Sequence, residues 1–254
     1  MLNLVLHGAP SPHHPPLLIV HGLFGSARNW SVIARRLSED RQVIAVDMRN
    51  HGDSKWDLAH GYEELAADLS AVIAGHGGQA DVLGHSMGGK AAMQLALSAP
   101  ARVRRLVVAD IAPVAYGHTQ RHLIKAMQAL DLEGLGLRSE ADRRLALAVP
   151  DTGVRAFLLQ SLDLKAAPAR WKLNLAALDA EMERIIGWPG TAGQFAGPTL
   201  FVKGALSDYI RPEHRAAIMA QFPAAGFAEI AGAGHWLHAD APREFEAVVR
   251  EFLA

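Results

Sequence analysis

The chain has no cysteine among its 254 residues. That excludes disulfide staples, a thiol nucleophile and zinc held by thiolates. Net charge is nearly absent too: 25 Lys and Arg stand against 26 Asp and Glu, a formal charge of -1. Nothing in that balance favours nucleic acid or an anionic membrane as a partner. No apolar run approaches the ~20 residues needed to cross a bilayer, so no membrane insertion is expected. The opening residues Met1 to Gly8 carry only a short apolar stretch and no basic leader. They read as a first strand rather than a signal peptide, and the expected location is cytoplasmic. Metal-binding patterns are also scarce. His118 and His122 have i, i+4 spacing, but His-Thr-Gln-Arg-His lacks the glutamate of a zinc-protease helix, so no metal is expected. The glycine clusters at 75–78 and 133–136 lack the strand before and helix after that a phosphate loop requires, and no cofactor is expected.

What is present is a globular composition, with half the residues hydrophobic, and a length sufficient for one α/β core carrying an inserted cap. Strand-like runs fall at 17–21, 42–47, 80–84, 105–110, 198–203 and 226–231. Helical patterns lie near 29–38, 62–75, 88–98, 212–221 and 242–253. This alternation predicts a mainly parallel sheet with helices on both faces. The proline-rich stretch Pro10 to Pro16 is a loop, since clustered prolines cannot feed a central strand. From about 115 to 190 the alternation gives way to four helical stretches, starting near His118, Ser139, Val154 and Asn174. The reading is a core of 1–114 and 191–254, with a helical cap of 115–190 inserted after the sixth strand. Met127, Leu130, Phe157, Leu158 and Trp171 are candidate pocket walls, each also readable as ordinary cap core. No pattern in the chain speaks to its oligomeric state.

The most informative segment is Gly84-His85-Ser86-Met87-Gly88-Gly89. It fits G-x-S-x-G with a strand before and a helix after, the context that a nucleophile elbow requires. Gly84 and Gly88 relieve the crowding of a sharp turn, and the strained Ser86 hydroxyl is left projecting above the sheet. The loop His21-Gly22-Leu23-Phe24-Gly25-Ser26 follows another strand. Acyl transfer needs two N–H donors aimed at the developing oxyanion, and the candidates are Leu23 and Met87. Phe24, next to Leu23, and Trp236, next to His235, are candidate substrate contacts.

His235, in Gly-Ala-Gly-His-Trp after the last strand, suits a general base because histidine titrates near neutrality. His238 is read as a surface or capping histidine at the start of the last helix. Two aspartates could orient the base: Asp110 and Asp208 each end a predicted strand, where catalytic groups gather in α/β sheets. Either preserves the chain order Ser, Asp, His. The long loop Asp47-Met48-Arg49-Asn50-His51-Gly52-Asp53-Ser54 is expected to brace the site through polar contacts.

These pieces together resemble the α/β-hydrolase superfamily, and more narrowly the YbfF-type bacterial esterases. The match is carried by His-Gly-Leu-Phe-Gly-Ser (21–26), Val-Asp-Met-Arg-Asn-His-Gly (46–52) with Ser54, Gly-His-Ser-Met-Gly-Gly-Lys (84–90), Asp-Ile-Ala-Pro-Val (110–114) and Gly-Ala-Gly-His-Trp (232–236). The resemblance implies an α/β-hydrolase fold and a serine carboxylesterase acting on short-acyl esters, with a small-molecule substrate. It also implies that the acid is Asp110, although this chain additionally carries Asp208. Epoxide hydrolases and haloalkane dehalogenases of similar fold use an aspartate nucleophile, which Ser86 excludes. A thioesterase or lactonase would use the same residues, as would a cofactor-free peroxidase. A non-catalytic binding protein of this fold would be expected to lack one of them.

Overall fold

The computed structural model describes all 254 residues. The strands are β1 (Asn3–His7), β2 (Leu17–Val20), β3 (Val43–Asp47), β4 (Ala80–His85), β5 (Val103–Ala109), β6 (Leu162–Asp163), β7 (Arg170–Trp171), β8 (Thr199–Gly204) and β9 (Ala225–Ile230). Seven of them form one sheet in the order β1-β3-β2-β4-β5-β8-β9. Only β1 runs antiparallel to its neighbour. The central strands read Leu-Leu-Ile-Val and Val-Ile-Ala-Val-Asp and are buried throughout. Unbroken apolar runs suit strands covered on both faces.

The helices are α1 (Ser31–Leu37), α2 (Tyr62–Ala74), α3 (Met87–Ser98), α4 (Arg121–Ala129), α5 (Arg138–Leu145), α6 (Thr152–Leu158), α7 (Leu175–Ala180), α8 (Met182–Ile186), α9 (Arg215–Gln221), α10 (Leu237–Asp240) and α11 (Pro242–Leu253). α1 and α11 bury Ile33, Leu37, Phe245 and Val249 against one face of the sheet. α2 and α3 bury Leu65, Leu69, Met93 and Leu95 in the cluster on the other. None of the helices is long and apolar enough to cross a membrane.

The excursion from the sheet differs from the sequence reading in three ways. It follows the fifth strand, not the sixth: the chain leaves after β5 and returns at β8. It holds five short helices and the β6–β7 ribbon rather than four helices. The ribbon has two residues per strand, too few to show an alternating pattern. Helix α4 begins at Arg121, so His118 precedes it and shares no helix face with His122. The chain then descends from α8 to β8 as coil, with Gly187, Gly190, Gly193 and Gly197 along it. Apolar residues of this excursion, among them Met127, Leu158 and Ile185, belong to the same cluster as those of α2 and α3.

Candidate active site

The sheet brings the carboxyl ends of β2, β3, β4 and β5 side by side, and the candidate residues follow those ends. Ser86 lies between β4 and α3 with φ 54° and ψ −121°. Few non-glycine residues hold a positive φ, and they need support from their surroundings. The glycines explain how the turn closes. A Cβ on Gly84 would come within 2.3 Å of Gly88 O, and one on Gly88 within 2.4 Å of the Val20 and His21 carbonyl oxygens. Gly88 is therefore demanded by the end of β2 as well as by the turn itself.

Ser86 Oγ lies 3.1 Å from His235 Nε2. His235 Nδ1 donates to Asp110 Oδ2 at 2.7 Å. Asp110 is fully buried and also has a positive φ, 52°. Its carboxylate is well supplied with donors. Oδ1 accepts from the Gly204 N–H at 3.2 Å, and Oδ2 accepts from the Ser207 hydroxyl. The loop after β8 thus turns Ser207 inward. Asp208 is exposed to solvent, and the carboxylate bonded to His235 is that of Asp110. The structure brings Ser86, His235 and Asp110 together and leaves Asp208 out.

Leu23 and Met87 lie beside Ser86. Among the hydrogen bonds of loops and caps, none engages the N–H of either residue. The Leu23 N–H has its direction set from behind. Gly22 O accepts from His21 Nδ1 at 2.8 Å and from the Gly25 N–H at 3.0 Å. In a planar trans peptide the N–H points opposite to the C=O, so these two bonds fix the Leu23 donor. His21 Nε2 accepts from the Met48 N–H at 2.9 Å, which leaves the buried ring neutral; burial lowers its pKa.

His235 is held in turn by its neighbours. Its carbonyl accepts from His85 Nε2 at 2.8 Å, and its ring stacks on Tyr209 with centroids 4.0 Å apart. His238 is neither a surface nor a capping residue, contrary to expectation. It lies in α10, ahead of the last helix. Its ring stacks on Trp30 at 4.1 Å and meets His85 edge-on at 4.9 Å. Burial, then the neighbouring His235, pushes its pKa down to about 3. The short helix α10 tucks the ring inward, which a reading of α11 alone does not reveal.

These groups open into a cavity of about 310 Å³, lined mostly by apolar side chains and roofed by residues of α4, α6 and α8. Phe24 and Trp236 both line it. Of the five proposed walls only Phe157 does, packing on Trp236 with ring centroids 5.3 Å apart. Met127, Leu130, Leu158 and Trp171 are buried within the excursion instead, where Trp171 Nε1 donates to Met127 O at 2.9 Å.

Sequence reasoning missed Lys90, which also lines the cavity. It is 1 % exposed and forms no ion pair. Its ammonium donates to Ile186 O at 2.9 Å and to Gly187 O, at the end of α8, and faces the Tyr116 ring at 4.7 Å. Burial pulls its pKa down to about 7. A lone charge inside the apolar stretch Met87 to Leu97 was the available signal.

The loop after β3 is tied down by polar contacts. Asp47 Oδ1 accepts from the Ala27 N–H at 2.8 Å. Asn50, at φ 67°, accepts on its carbonyl from the Asn174 N–H at 2.9 Å and so ties the loop to α7.

A model of the alpha/beta hydrolase family matches residues 17–248. The esterase YbfF of Escherichia coli is 38 % identical over 256 residues, covering 99 % of this chain and 98 % of that protein. The mouse sn-1-specific diacylglycerol lipase ABHD11 is 39 % identical over 249 residues, covering 94 % and 81 %. The solved structure of a marine microorganism esterase superposes with a TM-score of 0.93 at 36 % identity, over 99 % of this chain and 98 % of that one. An elbow, a hydrogen-bonded Ser–His–Asp line and full-length likeness to named esterases and lipases coincide here, and the chain belongs to the alpha/beta hydrolase family, as one of its hydrolases.

Proposed function

We propose that the chain is a serine carboxylesterase that hydrolyses short-acyl esters through an acyl-enzyme on Ser86. The observation that carries this reading is the continuous hydrogen-bond line from Ser86 through His235 to Asp110, at the floor of a largely apolar cavity. The names of the relatives, an esterase and a lipase, support ester substrates. In this reading residues 115–190 form the cap, over a core of 1–114 and 191–254.

His235 Nε2 takes the Ser86 proton as Oγ attacks the ester carbonyl. The negative oxygen of the tetrahedral intermediate accepts from the Leu23 and Met87 N–H groups. Fixed dipoles of this kind cost no reorganisation as charge develops. The protonated His235, stabilised by Asp110, gives its proton to the departing alcohol. Water then attacks the acyl-enzyme with the same groups, and Ser86 is released. Phe24, Trp236 and Phe157 hold the substrate's apolar portion.

The test is Ser86→Ala with p-nitrophenyl acetate. Removal of the nucleophile is expected to cost on the order of a millionfold in rate, while the circular dichroism spectrum stays unchanged. A fluorophosphonate probe should label the wild type and not the variant. Turnover close to wild type in Ser86→Ala would refute the reading.

A further inference from the structure

Phe24 follows the proposed oxyanion donor Leu23, and its backbone is left-handed at φ 64°. An apolar side chain at such an angle persists only where its surroundings impose it. Here both backbone polar groups are taken by side chains from distant parts of the chain. The Phe24 N–H donates to His51 Nε2 at 3.2 Å. The Phe24 C=O accepts from Ser161 Oγ at 2.9 Å. His51 belongs to the loop after β3; Ser161 follows α6, in the excursion that roofs the cavity.

The protonation of His51 follows from its two partners. Its Nδ1 faces Arg49 O at 2.9 Å, and a carbonyl can only accept, so Nδ1 carries the hydrogen. Nε2 is left as the acceptor that the Phe24 N–H requires. The ring is fully buried and lies 5.0 Å from that of His21, whose own bond holds Gly22 O. The His51 backbone also bridges to Leu173, just before α7. Three successive peptide planes of the loop are therefore pinned: at Gly22 O, at the Phe24 N–H and at Phe24 O. Neither His51 nor Ser161 lines the cavity.

We infer that His51 and Ser161 are positioning residues: they clamp the Phe24 backbone between the loop after β3 and the excursion, and so hold the Leu23 N–H, whose direction is set through Gly22 O, at the place where the oxyanion forms. This inference rests on the oxyanion role proposed above for Leu23. It ties the excursion to the chemical step through a side chain on each side of the interface.

The experiment compares Ser161→Ala, Ser161→Thr, His51→Leu and His51→Gln. Turnover is measured per active site titrated with a fluorophosphonate, together with affinity for an alkyl trifluoromethyl ketone. That ketone forms a hemiketal on the serine and places an oxyanion where the transition state does. Deleting a whole oxyanion donor costs roughly 100- to 1000-fold. Misaiming one is expected to cost about tenfold in kcat for Ser161→Ala and His51→Leu, with KM changed by less than about twofold. Ketone affinity should fall in the same proportion, and Ser161→Thr and His51→Gln, which keep the hydroxyl and the acceptor, should recover most of the loss. A purely structural clamp would lower the melting temperature but leave turnover per site and ketone affinity at wild-type values; that result overturns the inference. Ser161→Ala removes a single hydroxyl and reports even where His51→Leu does not fold. Ser86→Ala run alongside separates the two levels. If it keeps its turnover, the acyl-enzyme reading falls. If turnover depends on Ser86 but ignores the clamp variants, only the clamp falls.

Discussion

Five histidines other than the proposed base are packed around the site, and burial lowers the pKa of each: His21, His51, His60, His85 and His238. Most serve as neutral partners with defined donors and acceptors, so a proton added to one breaks a bond as well as burying a charge. The consequence for stability has a definite sign. His238 titrates at about 3 in the folded chain against an ordinary 6.5. The unfolded chain therefore binds the proton first as pH falls. The contribution is fully present above 6.5 and is lost progressively between 6.5 and 3. Replacing the ring by one that cannot titrate but still stacks on Trp30 should blunt this loss. His238→Phe is expected to lose less stability than wild type between pH 7 and pH 4.5, by on the order of 1–2 kcal/mol. Urea midpoints at the two pH values measure it. Equal losses in both proteins would mean that His238 is not among the acid-sensitive groups.

At the scale of elements, the ends of β5 and β8 decide which carboxylate reaches His235. Asp110 receives three donors where β5 ends, whereas Asp208 points to solvent one residue beyond the inward-facing Ser207. Asp110→Asn is expected to lower kcat by up to about ten-thousandfold, because the imidazole loses the partner that fixes its tautomer. Asp208→Asn should change it by less than about threefold, as befits an exposed surface group. Steady-state kinetics of the two variants and their double mutant check this; a larger loss from Asp208→Asn would reverse the assignment. The same pair of residues shows what a sequence can reveal. β2 and β3 announce themselves as buried apolar runs, and the elbow as strand, glycines and helix, because these are local patterns. The choice between two strand-end aspartates depends on which way a loop turns after β8, and no periodicity records that. Helix α8, five residues long, and the two-residue strands β6 and β7 are too short for their burial to repeat. The inward placement of His238, the clamp on Phe24 and the packing of Lys90 under Gly187 are all contacts between segments far apart in sequence. They leave no local signature beyond a polar residue where an apolar one would be ordinary.

For the whole molecule, the cavity exists only because the excursion between β5 and β8 folds back over the carboxyl edge of the sheet. Its apolar residues join the cluster of α2 and α3 rather than forming a separate core. The space enclosed is about 310 Å³, at the lower end of the range for small-ligand sites, roughly 300–1,000 Å³. Acetyl to hexanoyl esters should therefore be turned over with higher kcat/KM than palmitoyl esters. A panel of p-nitrophenyl esters of graded length, extended to matched thioesters and lactones, measures both the length and the class of substrate. A clear preference for palmitoyl would mean that the cap opens far wider than its packing suggests, and a preference for thioesters would change the substrate class proposed here.

The position of that excursion also bears on how such a molecule can change over time. β5 and β8 are hydrogen-bonded neighbours in the sheet, yet the entire roof lies between them in the chain. Closing a chain segment costs entropy that grows only with the logarithm of its length, about 0.6 kcal/mol for each doubling. The pairing of the two strands is therefore almost indifferent to how many residues are looped out between them. Insertions and deletions there alter the chamber without disturbing the strands that present Ser86 and Asp110. The fold thus leaves the size of the roof free to vary, apart from contacts such as Ser161 on Phe24 that reach the loop beside Ser86.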